Sequence, residues 1–159
     1  MRNLLICSFV LAAAIQANAI NHYQFNITPE NINQQTFAIE IKTEETDNNV
    51  NYQISFSGKG DIPLPTNFYG IVVIAREGRK ISDFNVKPVY DNNKATFTIS
   101  LRKDYVPYAK GRFIYKISDP SAPRETRSVF YNIPLEPFAP KVKKEEETNK
   151  EQENEEDNK

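Results

Sequence analysis

Along most of the chain apolar and polar residues alternate one for one, which is the period of a strand with one buried face. Tyr23, Phe25 and Ile27 share a side, with Gln24 and Asn26 between them. Phe37, Ile39 and Ile41 repeat the pattern against Ala38, Glu40 and Lys42. After the turn residues Thr46-Asp47-Asn48-Asn49 come Tyr52, Ile54 and Phe56, so the two stretches predict a hairpin. Gly58-Lys59-Gly60, Pro63 and Pro65 then open a loop. Residues 68–75 are the one stretch beyond the leader where apolar residues run on without alternation, which predicts a central strand buried on both faces. It closes at Arg76-Glu77-Gly78-Arg79, where Gly78 suits the left-handed position of a hairpin turn.

Residues 81–90 read as one returning strand carrying Phe84 and Val86, with Pro88 placing it at a sheet edge. Asp91-Asn92-Asn93 is the next turn. Phe97, Ile99 and Leu101 point inward against Thr96, Thr98 and Ser100. The connection 102–111 is where the chain changes sheets, and it leads to Phe113, Tyr115 and Ile117 with Arg112 and Lys116 opposed. After a second turn the last strand, 124–133, carries Val129, Tyr131 and Ile133 inward.

About 7–8 short strands with turn signals between them, and no segment of helical period, predict an all-β fold. The expectation is a single antiparallel β-sandwich with a Greek-key crossover. Leu101, Asp104, Gly111, Phe113 and Tyr115 resemble the corner between the fifth and sixth strands of immunoglobulin-like domains, where Leu and Asp precede Gly-x-Tyr-x-Cys. The resemblance implies an immunoglobulin-like sandwich. Phe113 stands in place of the corner tyrosine and Tyr115 in place of the cysteine, so the corner hydroxyl and the disulfide are both missing. Fold alone does not imply function.

Composition adds the chain's destination. Residues 1–19 read as a secretory signal peptide: Arg2 is the positive start, an apolar stretch follows, and Ala17-Asn18-Ala19 is the cleavage site. That stretch is shorter than a membrane span, and the mature chain carries no transmembrane segment. The expected localisation is therefore exported, periplasmic or secreted. Cys7 lies in the signal peptide, so the mature domain, residues 20–138, has no disulfide and depends on burial. Asn26-Ile27-Thr28 is a glycosylation sequon that matters only in a eukaryotic secretory setting.

Charge divides the mature chain in two. Residues 20–138 hold 14 Lys and Arg against 13 Asp and Glu, a near-neutral domain without the basic stripe that nucleic acid requires. Residues 139–159 hold 5 Lys and 8 Asp and Glu with no aromatic residue, the composition of a disordered Glu/Lys-rich tail. Residues 134–140 read as a polyproline-type exit between the two.

Candidate chemistry is sparse. With no cysteine and a single histidine, His22, the mature chain lacks the parts of a nucleophilic triad and of a protein zinc site. A carboxylate pair for glycoside hydrolysis would come from Glu44, Glu45, Asp47, Asp61, Asp83, Asp91 and Asp104, most of them in turns. If cleavage follows Ala19, the new amine together with Ile20, Asn21 and His22 offers a square of nitrogens suited to Cu(II) or Ni(II). Two loops, 62–68 and 105–108, carry more apolar side chains than solvated turns need. Leu64, Phe68, Tyr105 and Tyr108 are thus the candidate contacts for a protein or glycan partner at an end of the sandwich, and the alternative is the edge strand near Pro88 accepting a strand of the partner. The sequence favours a non-enzymatic binding module, ahead of a metal-capture protein and a compact carbohydrate-active enzyme.

Overall fold

The computed structural model describes residues 23–119 and 122–141. Its strands are β1 (Tyr23–Asn26), β2 (Ala38–Glu45), β3 (Asn49–Ser57), β4 (Tyr69–Arg76), β5 (Arg79–Val86), β6 (Val89–Asp91), β7 (Lys94–Arg102), β8 (Ala109–Asp119) and β9 (Ala122–Pro134). They form a five-stranded sheet in the order β1-β9-β8-β4-β5 and a four-stranded sheet in the order β2-β3-β7-β6. The result is an all-β sandwich, as the alternation predicts. The stretch 1–19 predicted as a signal peptide, the predicted mature start at 20–22 and most of the charged tail lie outside the described residues.

The turns follow from their residues. The β2–β3 hairpin closes where the Thr46 N–H donates to the Asn49 carbonyl at 2.9 Å and the Asn49 N–H donates to Thr46 Oγ1 at 3.2 Å. Glu77 and Gly78 both have positive φ, 52° and 75°, between β4 and β5. Asn92 and Asn93 do the same between β6 and β7, at 41° and 61°. Paired left-handed residues match the twist of tight hairpins. The chain crosses between sheets at four places. The first is the segment between Asn26 and Ala38, the second the loop from Ser57 to Tyr69, the third Lys87-Pro88, and the fourth the 3₁₀ helix Lys103–Tyr108, within the predicted connection 102–111.

Four expectations need correction. Residues 81–90 are not one strand, because Pro88 has no N–H to continue the ladder. β5 stays at the edge of the five-stranded sheet while β6 becomes the edge of the other. β1 pairs with β9 in parallel, Tyr23 opposite Val129 and Phe25 opposite Tyr131, so the sandwich is not wholly antiparallel. β4 is not the central strand. It lies between β5 and β8, and its burial alternates, with Gly70, Val72 and Ile74 inside and Ile71, Val73 and Ala75 half-buried. The centre is β8, where Phe113, Ile114 and Tyr115 are buried in succession. Finally, residues 134–140 are not an extended exit. Leu135 is fully buried, its N–H donates to the Ala109 carbonyl at 3.1 Å, and Glu136–Phe138 forms a 3₁₀ turn.

Aromatic rings fill the space between the sheets. Phe37, Phe56, Phe68, Phe97, Phe113, Tyr115 and Tyr131 form a connected set with centroids 4.7–6.4 Å apart. Rings at such separations in tilted and edge-on arrangements add to the stabilisation given by burial alone. Gly111 makes room for them, since a Cβ there would lie 2.8 Å from the Phe113 ring. Two tyrosine hydroxyls enter this core. Tyr52 donates to the Leu135 carbonyl at 3.2 Å, whereas the Tyr131 hydroxyl is buried without a partner of acceptable geometry.

Candidate functional site

The four loop residues do not share a surface. Residues 58–68 follow β3, at the sandwich end where Ala38, Ser57 and Lys94 meet. Residues 103–108 follow β7, at the opposite end with Glu45 and Asn49. In the first loop Leu64 and Phe68 are 7% and 4% exposed and belong to the core. The loop is pinned there: the Leu64 N–H donates to Asn93 Oδ1 at 2.7 Å, and the Phe68 N–H donates to the Tyr90 hydroxyl at 2.8 Å. Leu64 and Phe68 close an open end of the core and are not surface contacts.

At the other end the buried Val106 anchors the 3₁₀ helix and splays its tyrosines apart. Tyr105 packs against the core with the Arg102 guanidinium 5.2 Å from its ring centroid. Tyr108 remains 36% exposed and lies under Arg76 of β4, at 5.3 Å. Cation–ring contacts of this kind hold both partners near a fixed orientation. Of the four predicted contacts, Tyr108 lines a groove.

That site is a groove of about 470 Å³ on the outer side of the five-stranded sheet. Its floor is a row across three strands: Val73 of β4 opposite Lys110 of β8, and Lys110 opposite Pro134 of β9. Ala75, Pro107, Tyr108, Ala109 and Arg112 complete the lining, which contains no carboxylate. Two further rows continue the surface. Ile71 lies opposite Arg112 and Arg112 opposite Asn132; Tyr69 lies opposite Ile114 and Ile114 opposite Phe130. Ile114 is only 3% exposed, although it points away from the core. Arg112 is held in place, its Nε donating to Asn132 Oδ1 at 3.0 Å and its guanidinium 5.7 Å from the Phe130 centroid. Asn132 in turn donates through Nδ2 to Asn26 Oδ1 at 3.3 Å.

The sequence carried one signal for this face that went unread. In residues 68–75 the run without alternation reflects a second apolar surface, Ile71, Val73 and Ala75, rather than a central position in the sheet.

Of the named carboxylates, Asp47 and Asp104 line one surface site together with Arg102 and Lys103. Glu45 meets Lys103, Asp83 meets Lys80 at 3.3 Å, and Asp104 meets Arg102 at 2.7 Å. Glu44 lies on β2, Asp47 in the β2–β3 turn, Asp61 in the loop before β4 and Asp91 at the end of β6. Among the described residues no three His, Cys, Asp or Glu side chains gather as a metal site. The Cu(II) or Ni(II) set of Ile20, Asn21 and His22 lies outside the described residues. Among the described residues no helix is long and apolar enough to cross a membrane.

The shifted groups owe their shifts to hydrogen bonds and burial. Hydrogen bonds from Lys42 and Lys94 lower the Glu40 carboxyl, and a hydrogen bond with the Thr28 side chain lowers that of Glu30. Burial raises the hydroxyls of Tyr52, to about 12, and of Tyr90, Tyr115 and Tyr131. No protein-family model matches the chain, and no curated protein or solved structure matches it.

Proposed function

We propose that this chain is an exported, non-catalytic binding module that recognises acidic groups of a protein or glycan partner through the groove beside Tyr108. The observation that carries the reading is the groove's chemistry. A half-exposed tyrosine and the cations Arg76, Lys110 and Arg112 surround an apolar floor, and no carboxylate lines it. Tyrosine and arginine are the residue types that dominate binding energy at interfaces. Arg112, oriented by Asn132, is set to meet a carboxylate or sulfate with little ordering cost. Strand order supports an immunoglobulin-like module: β2-β3-β7-β6 and β9-β8-β4-β5 follow the A-B-E-D and G-F-C-C′ arrangement of such domains. The ion pairs of Glu45, Asp83 and Asp104, three of the named carboxylates, favour binding over glycoside hydrolysis.

The test is a screen of acidic glycans and acidic peptides against the full chain and Tyr108→Ala. Binding by the full chain that falls by about tenfold or more in the variant, roughly 1.4 kcal/mol, is expected, with the unfolding midpoint nearly unchanged. Tyr105→Ala should leave that affinity alone, because Tyr105 lies under Arg102, a residue of the other sheet. Acidic ligands that bind Tyr108→Ala as well as they bind the parent would sink the reading.

A further inference from the structure

We propose that the acidic segment 145–157 of this chain occupies the groove beside Tyr108, so that an external acidic ligand has to displace it. The inference rests on that groove being a binding site and concerns its regulation.

Charge is the first argument. Among the described residues neither Lys110 nor Arg112 has a carboxylate partner. Arg76 has only Glu77 at 3.8 Å, and the nearby outward acid of β5, Asp83, is held by Lys80. Segment 145–157 carries Glu145, Glu146, Glu147, Glu151, Glu153, Glu155, Glu156 and Asp157 against the single Lys150.

Position is the second. The buried Leu135 and the 3₁₀ turn after it bring Ala139 and Pro140 beside Pro107, and Pro107 also lines the groove. Glu145 follows Lys141 by four residues, a reach of at most about 14 Å. The charges also come in a suitable order. Glu45 and Glu136 lie beside Ala139 and Pro140, and in the sequence Lys141, Lys143 and Lys144 come next, before the carboxylates.

Tethering is the third. A segment held this close has an effective concentration on the order of 1 mM, so even a contact of millimolar strength is about half formed without any partner.

The experiment measures the affinity of a fluorescent peptide of residues 142–159 for two full chains. One is the parent; in the other the seven Glu and Asp157 of the segment are replaced by Gln and Asn. The neutralised chain should bind the peptide about twofold or more tightly than the parent, the factor set by half or greater occupancy, and Lys110→Gln or Arg112→Gln added to it should remove most of that gain. Equal affinity of parent and neutralised chain overturns the occupancy and leaves the groove reading standing. No binding by either chain overturns both. A parent whose affinity for the peptide falls as its own concentration is raised would show that the segment acts between copies, which overturns occupancy within the chain.

Discussion

The two outer faces of the sandwich share one core and differ in almost everything else. On the four-stranded sheet Asn49, Asn51, Gln53, Ser55 and Ser57 of β3 face Arg102, Ser100, Thr98, Thr96 and Lys94 of β7, and Glu40 binds both Lys42 and Lys94. Polar groups there bond to one another: Ser100 donates to Asn51 at 2.7 Å, and Ser55 meets Thr96 at 3.0 Å. On the five-stranded sheet Tyr69, Ile71, Val73, Ile114 and Phe130 point outward with Lys110, Arg112 and Lys116 among them. A polar, charge-balanced face stays in water at no cost, whereas an apolar one studded with unbalanced cations gains by being covered. The proposed docking surface rests on this difference.

The largest expected effect should not distinguish the faces at all. Tyr52, Tyr115 and Tyr131 point into the common core, and burial raises their hydroxyls above the ordinary tyrosine value of about 10. A raised folded-state value means that this part of the stability is fully present below pH ~10, where the unfolded tyrosine also keeps its proton. For Tyr52 it is lost as pH rises from ~10 through about 12. Each such tyrosine steepens the fall by up to about 1.4 kcal/mol per pH unit. Hydrogen exchange followed through that window should show amides of both sheets losing protection together. Loss confined to one sheet would mean that the faces do not rest on a shared core.

The second effect separates them. Ile114 is buried on the outward side between Tyr69 and Phe130, so Ile114→Ala removes packed apolar contact and should cost about 2 kcal/mol in urea unfolding. On the other face Thr98 is exposed in the corresponding outward position, and Thr98→Ala should stay within about 0.5 kcal/mol. Equal costs would erase the comparison.

How far the sequence displays this molecule follows from what period two can and cannot say. Alternation separates inside from outside, so Tyr52, Ile54 and Phe56, like Phe97, Ile99 and Leu101, fall where the pattern puts them. It does not say which strand is central, because β8 carries Arg112 and Lys116 and hides Ile114 between them. Nor does it say that 68–75 is apolar for two reasons at once, a core side and an outer apolar side. Pro88 announced an edge but not that two edges meet there. Of the site, Tyr108 was legible as an aromatic in a loop. Leu64 and Phe68 were misread because an apolar loop that caps a core and one that binds a partner have the same composition. The groove's floor, Val73 beside Lys110 beside Pro134, comes from three distant stretches and becomes a site only through strand register.

The smallest effect asks whether polar groups differ between the faces as the apolar ones do. Asn132 is 5% exposed and joins Asn26 Oδ1 to Arg112 Nε, so Asn132→Ala leaves two partners short in a place water reaches poorly. The expected loss is about 1–2 kcal/mol, together with weaker binding in the groove because Arg112 is no longer oriented. Ser100 on the other face also joins two side chains, Asn51 and Asn49, but in the open, where water replaces the hydroxyl. Ser100→Ala should therefore change stability by less than about 0.5 kcal/mol. Both substitutions delete a bridging polar group, so a matching loss at the two sites would show that the outer network around Arg112 is as solvated as its counterpart. A clear excess at Asn132 would mean that the cationic face is rigid before any ligand arrives, as a preformed site requires.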